Sequence, residues 1–172
     1  IYPYICLSVF VIGTIIRYDR EQYSWRASSS QVLADKGLTI GNILFHIGVI
    51  FIFFGHLVGL LTPHMFYEKF ITAEQKQLVA IIAGGIAGTI GFVGLTMLVF
   101  RRLFVERIRA TSTKSDIAVL LILWIQIMLG LLTIPVSLSH HDATVMINLS
   151  EWVQHILTFR SGASDNIVET DF

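Results

Sequence analysis

The chain has 172 residues, of which 54% are hydrophobic and only 14% charged, and its mean hydropathy is +0.72. Soluble domains carry about 25% charged residues, so this composition belongs to a membrane protein, and a formal net charge of zero provides no global field to draw in nucleic acid or an acidic substrate. The single cysteine, Cys6, excludes an internal disulfide, and without a C-x-x-C or C-x-x-C-H motif any cofactor must be carried by histidine.

The first predicted span covers residues 1–16. It begins in mid-run at Ile1, with no basic n-region and no small-residue cleavage site. It therefore reads as a span whose first residues are missing, not as a signal peptide. Its length falls short of the ~20 residues that cross a bilayer. Tyr2 and Tyr4 are expected in the interfacial belt. The second span covers 40–61 and is ended by Thr62-Pro63. The third, 78–100, contains Gly84, Gly85, Gly88 and Gly91, and its Gly84-x-x-x-Gly88 pattern lets a neighbouring helix approach closely. The fourth, 116–136, is expected to stop at Pro135.

From Ser137 to the end, 137–172, the composition turns polar and acidic. Within this tail Val145, Leu149, Trp152, Val153 and Ile156 share one face at helical spacing. That pattern predicts a short amphipathic helix, either lying on the membrane surface or packed on the rim of the bundle. The final stretch, SGASDNIVETDF, has no periodic pattern. The expected fold is a single all-α membrane domain, a polytopic transmembrane helix bundle.

Lysine and arginine placement gives the orientation. Arg17, Arg20, Arg26 and Lys36 follow the first span, and Arg101, Arg102, Arg107, Arg109 and Lys114 follow the third. The loop after the second span holds only Lys69 and Lys76, and the tail only Arg160. The first and third loops are thus expected in the cytoplasm of a cell inner membrane. The N-terminus, second loop and tail are expected outside.

The second span carries the chemistry. Its apolar run ILFHIGVIFIFFGHLVGLL has His46 and His56 as its only ionisable groups. An ionisable side chain at that depth is costly and usually functional. Imidazole is a common ligand of haem iron. Ten residues apart on a helix means a rise of ~15 Å and a net rotation of ~80°. Both rings can then face the bundle interior at different depths, as two stacked haems would need. Gly48, Gly55 and Gly59 in the same helix offer bare backbone for a flat macrocycle, or equally for helix–helix packing. The alternatives to haem are interhelical hydrogen bonds and an ion or proton path. His64 reads as interfacial, His140 and His141 as a solvated pair, and His155 as part of the amphipathic helix. A zinc site from the last three is a weaker reading. No G-x-S-x-G, H-E-x-x-H or Walker loop is present.

Several stretches are specific beyond hydrophobicity: IYPY at 1–4, RYDREQYSWRASSSQ at 17–31, NILFHIG at 42–48, GHLVGLLTPH at 55–64, RRLFVERIRATSTKSD at 101–116, LGLLTIPVS at 129–137 and SGAS at 161–164. On these the chain resembles the gamma subunit of respiratory nitrate reductase, a di-haem cytochrome b. The resemblance implies a five-helix bundle with the N-terminus outside. It makes His46 a ligand of the haem nearer the cytoplasm and His56 a ligand of the haem nearer the outside. It implies that quinol is oxidised near the outer haem, at a site involving Lys76, with Gly59 one turn after His56 as bare backbone for the ring. Electrons then pass through two b-type haems to an iron–sulfur beta subunit and on to a molybdenum alpha subunit that reduces nitrate. Arg101 and Arg102 could pair with inner-haem propionates, or simply set topology. The loops 17–39 and 101–115 are the expected docking surface for the iron–sulfur partner.

The resemblance also implies a fifth helix whose histidines are the second axial ligands, and no histidine follows His155. The sequence is therefore expected to lack a little at its start and that whole helix, with a four-helix variant as the alternative. Other functional readings are a cytochrome b anchor of a sulfur- or disulfide-reducing complex, a non-haem protein using its histidines as a proton or ion path, and a purely structural anchor. A transporter of the proton-path kind would more often show paired acidic residues inside its spans. Here Asp116 lies at a span edge, and Gln126 is the main polar group of the fourth span.

Overall fold

A computed structural model describes residues 1–21, 23, 37–139 and 144–160. Among these there are seven helices and no strand: α1 (Tyr2–Glu21), α2 (Leu38–Leu61), α3 (His64–Tyr67), α4 (Ala73–Phe104), α5 (Glu106–Thr111), α6 (Lys114–Ser139) and α7 (Thr144–Leu157). Three of them, α2, α4 and α6, are long and apolar enough to cross a membrane. At 24 residues, α2 is about 36 Å long, enough for a hydrocarbon core of about 30 Å. The first predicted span is helical as α1, but Arg17, Asp19, Arg20 and Glu21 occupy its last turns, so its apolar part remains short.

The ends are set by local chemistry. Thr62 stands in extended backbone (φ −81°, ψ 112°), the conformation that Pro63 imposes on its predecessor, and α2 stops there as expected. A capping box starts α4: Gln75 N–H donates to Thr72 Oγ1 (3.3 Å) while Thr72 N–H donates to Gln75 Oε1 (3.2 Å). Thr113 and Asp116 exchange the same pair of bonds at the start of α6 (3.2 and 3.0 Å). Arg102, in the last turn of α4, donates to Ser112 Oγ and to Asp116 Oδ2, both at 2.9 Å. This joins the end of α4 to the start of α6, with Ile108 of α5 fully buried beside them.

Pro135 does not stop α6, which continues to Ser139. Proline removes one backbone donor, whereas ending the helix in apolar surroundings would strand several carbonyls.

Glycine decides how the long helices meet. A Cβ built on Gly48 would lie 2.5 Å from Gly91 Cα and 2.7 Å from the Ala87 carbonyl, and one on Gly94 would lie 2.7 Å from the Gly41 carbonyl. So α2 and α4 cross backbone against backbone. On its other side α4 receives α6: a Cβ on Gly88 would meet Leu131 at 2.8 Å, and Trp124 Nε1 donates to Thr96 Oγ1 (2.9 Å). Gly84, the first member of the predicted motif, has no neighbour within 4 Å. The contact with α6 is made by Gly85 and Gly88 instead. Apart from this seam, with Leu95 at its centre, the helices expose apolar side chains, as expected of surfaces that lipid or further helices cover.

The rim alternative for the amphipathic segment agrees with the packing. Helix α7 rests on the end of α2, where Gln154 Nε2 donates to the Leu60 carbonyl (2.9 Å). Ile156 is buried, and its carbonyl accepts from the Tyr4 hydroxyl of α1 (3.1 Å). Val145 and Leu149, from the same predicted stripe, remain exposed.

Candidate functional site

Because Gly41 and Gly48 hold α2 against α4, His46 and His56 fall on the part of α2 that α4 leaves uncovered. Both rings are exposed, so the helices described do not enclose them, in contrast to the interior placement expected from spacing. Each ring is held in the same way. His46 Nδ1 lies 2.8 Å from the Asn42 carbonyl, and His56 Nδ1 lies 2.9 Å from the Ile52 carbonyl. A carbonyl only accepts, so each Nδ1 must carry the proton. In the neutral ring the lone pair then sits on Nε2, on the far side from the helix backbone. A metal-binding histidine is typically oriented in this way. Each ring therefore fits the chemistry of a haem-iron ligand, and the two stand at different depths along α2.

Among the nearby glycines, Gly48 serves helix packing and leaves no room for a macrocycle. Gly55, next to His56, and Gly59, one turn on, both face open space. The bare backbone that sequence reading assigned to all three is thus present at two of them.

Lys76, at the start of α4, reaches this end of α2. Its Nζ donates to the Gly59 carbonyl at 3.2 Å and lies 3.7 Å from the ring centroid of Tyr67 in α3. The bonded position, partly buried, differs from a lysine extended into water. Tyr67 was not singled out by the sequence, since nothing in its local pattern signals the contact. Burial first, then the charges of Glu151 and Glu68, raise its phenol above the ordinary value of 10.0. Glu68 and Glu151 also line an open cavity of about 640 Å³ between the end of α2 and α7, which His155 and Arg160 share.

The remaining candidates are placed more simply. Arg102 is committed to Asp116, and Arg101 is buried at the end of α4. Gln126 is exposed on α6. His64 begins α3. His140 and His141, and most of the loop 17–39, lie outside the described residues, so the weaker zinc reading has only His155 within them. Among the described residues no three His, Cys, Asp or Glu side chains are grouped to hold a metal ion.

An all-α, multi-pass membrane protein with two histidines on one apolar helix, each holding its Nδ1 to the helix backbone, is the class that fold and site define. Comparison with known proteins gives the family. A family model described as "Nitrate reductase gamma subunit" matches residues 1–172. The chain is 52% identical to the respiratory nitrate reductase 2 gamma chain of Escherichia coli (strain K12) over 165 residues, covering 96% of this chain and 73% of that protein. It is 50% identical to the respiratory nitrate reductase 1 gamma chain of the same organism over 167 residues, covering 97% and 74%. Against the nitrate reductase gamma chain of Bacillus subtilis (strain 168) the identity is 37% over 165 residues, covering 95% and 74%. The chain belongs to the nitrate reductase gamma subunit family, and so is the membrane cytochrome b component of a multisubunit oxidoreductase.

Proposed function

We propose that this chain feeds electrons from quinol to nitrate reduction carried out on another subunit. His46 and His56 would each hold a b-type haem through Nε2, His46 the haem nearer the cytoplasm and His56 the haem nearer the outside. When bound, the two haems supply one-electron redox steps across the membrane, towards an iron–sulfur beta subunit and the molybdenum alpha subunit. Quinol is oxidised beside His56, where Lys76 offers a cation to a quinol oxygen and Gly59 leaves space for the ring. The basic ends of α1 and α4 face the cytoplasm, and the loops 17–39 and 101–115 dock the iron–sulfur partner.

The observation that carries this reading is the matched pair of Nδ1–carbonyl contacts, at 2.8 and 2.9 Å, which prepare both Nε2 atoms for a metal. Hydrogen bonding between helices would not require the same tautomer at both sites. The test is a reduced-minus-oxidised optical spectrum of the membrane-bound complex with its His46→Ala and His56→Ala variants. Each variant is expected to lose about half of a b-type signal. Full signals in both, or none in the parent protein when haem is supplied, would overturn the assignment.

A further inference from the structure

Oxidising a hydroquinone to a quinone releases two electrons and two protons. On the proposed reading the electrons pass to ferric haem iron bound at His56, and the protons must leave by another way. Lys76 is a poor carrier, since as an ammonium it has no acceptor site. Beside it the fold assembles groups that do accept protons. The Lys76 ammonium lies over the Tyr67 ring at 3.7 Å, and Glu68 follows Tyr67 directly in the chain. Glu151 reaches the same place from α7, its charge acting on the Tyr67 phenol. Both carboxylates line the open cavity of about 640 Å³, which is also bordered by His155. This docking of α7 is fixed by the Gln154 bond to the end of α2, the helix that carries His56.

We infer that Glu151, with Glu68, receives the protons released at the Lys76 end of α2 and hands them through this cavity to the outer water. The inference rests on the quinol-oxidation reading above. The two quinol O–H bonds each give up a proton, by way of water, to a carboxylate, and the quinol gives up two electrons in all, which would pass one at a time to the haem held at His56. The carboxylate then loses the proton to bulk water, so it is unchanged over a cycle. The groups around Glu151 are Glu68, just after α3, with His155 and Arg160 on the same cavity, and the phenol of Tyr67, on which its charge acts; Lys76 lies over that ring.

The test uses the whole complex in detergent, with a water-soluble naphthoquinol as reductant and stopped-flow recording of haem reduction. E151Q together with E68Q is expected to slow haem reduction at least tenfold, with unchanged haem spectrum and unchanged naphthoquinol affinity. A small weak acid such as formate or azide should restore most of the rate, and E151D should stay near the parent rate. A purely structural role would not respond to the weak acid. Unchanged rates in the double variant overturn the inference, and so does a slow rate that no weak acid restores. If the double variant loses haem, E151D and the weak-acid response of E68Q decide, and parental rates with no pH sensitivity in E68Q count against the path. Absence of naphthoquinol-driven haem reduction in the parent complex would instead refute the quinol reading itself.

Discussion

Gly48→Ala isolates the contact on which the orientation of both histidines depends. An alanine Cβ there would sit 2.5 Å from Gly91 Cα and 2.7 Å from the Ala87 carbonyl, all backbone, so no rotamer change can absorb it. Ordinary contacts lie near 3.5–4.0 Å, so α2 and α4 must part by roughly 1 Å. Overpacking of that kind costs about 1–3 kcal/mol, against which alanine's better helix propensity returns up to ~1 kcal/mol. Gly91→Ala is the matched control. Its Cβ would stand 3.5 Å from Gly48 Cα, an ordinary contact in the same crossing, and it should be neutral or mildly stabilising. Gly55→Ala, in open space on α2, should behave like Gly91→Ala. Thermal unfolding of the solubilised complex, followed by helix ellipticity and the haem band, compares the three. Equal midpoints for Gly48→Ala and Gly91→Ala would refute the backbone-contact account.

Other consequences are smaller. Thr72→Ala removes the capping box of α4 and should cost about 1 kcal/mol, measured by denaturant unfolding, while Thr72→Ser should keep most of it. Arg102→Ala breaks a partly exposed pair with Asp116, so a double-mutant cycle with Asp116→Asn should give a coupling of no more than about 1 kcal/mol, weakened further by salt. A coupling several times larger would mean the pair is desolvated in the complex. The raised phenol of Tyr67 favours its neutral form in the fold. Its contribution is therefore fully present below the unfolded value of 10.0 and lost as pH rises through the higher folded value. Tyr67→Phe should abolish that part of the alkaline loss of stability, and an unchanged pH profile would contradict the assignment.

The fold is most legible in the sequence where one residue type acts locally. The apolar lengths of α2, α4 and α6, the stop at Thr62-Pro63 and the stripe of α7 all follow from composition and punctuation. Pro135 misled because its effect depends on surroundings: in water a helix ends cheaply there, whereas among apolar neighbours the stranded carbonyls outweigh one lost donor. The proposed ligands, His46 and His56, were legible as candidates because two histidines in one apolar run are conspicuous. Their direction was not. Every face of α2 is apolar, so periodicity selects none, and the choice falls to Gly41 and Gly48, whose partners lie on another helix. The grouping of Tyr67 and Lys76 with Glu151 was invisible for a related reason, since only the docking of α7 on α2 brings Glu151 to them.

That docking bears on how Lys76 should be tested. The last turn of α2 leaves carbonyls that need donors, and its own C-cap and two other helices provide them. Thr62 N–H serves Val58 (3.1 Å), Lys76 Nζ serves Gly59 (3.2 Å) and Gln154 Nε2 serves Leu60 (2.9 Å). Lys76 thus has a structural task that any good donor could perform, besides the cationic task proposed for it. Lys76→Gln keeps an N–H donor of similar reach and removes the charge. Lys76→Met removes both, and an uncovered carbonyl at a partly buried helix end costs about 1–3 kcal/mol. If the charge acts on quinol, both variants should lose quinol-driven haem reduction to a similar extent, while only Lys76→Met loses thermal stability. If Lys76 merely ties α4 to α2, Lys76→Gln should reduce haem at the parental rate. Rapid-mixing kinetics and unfolding midpoints measured on the same preparations separate the two roles.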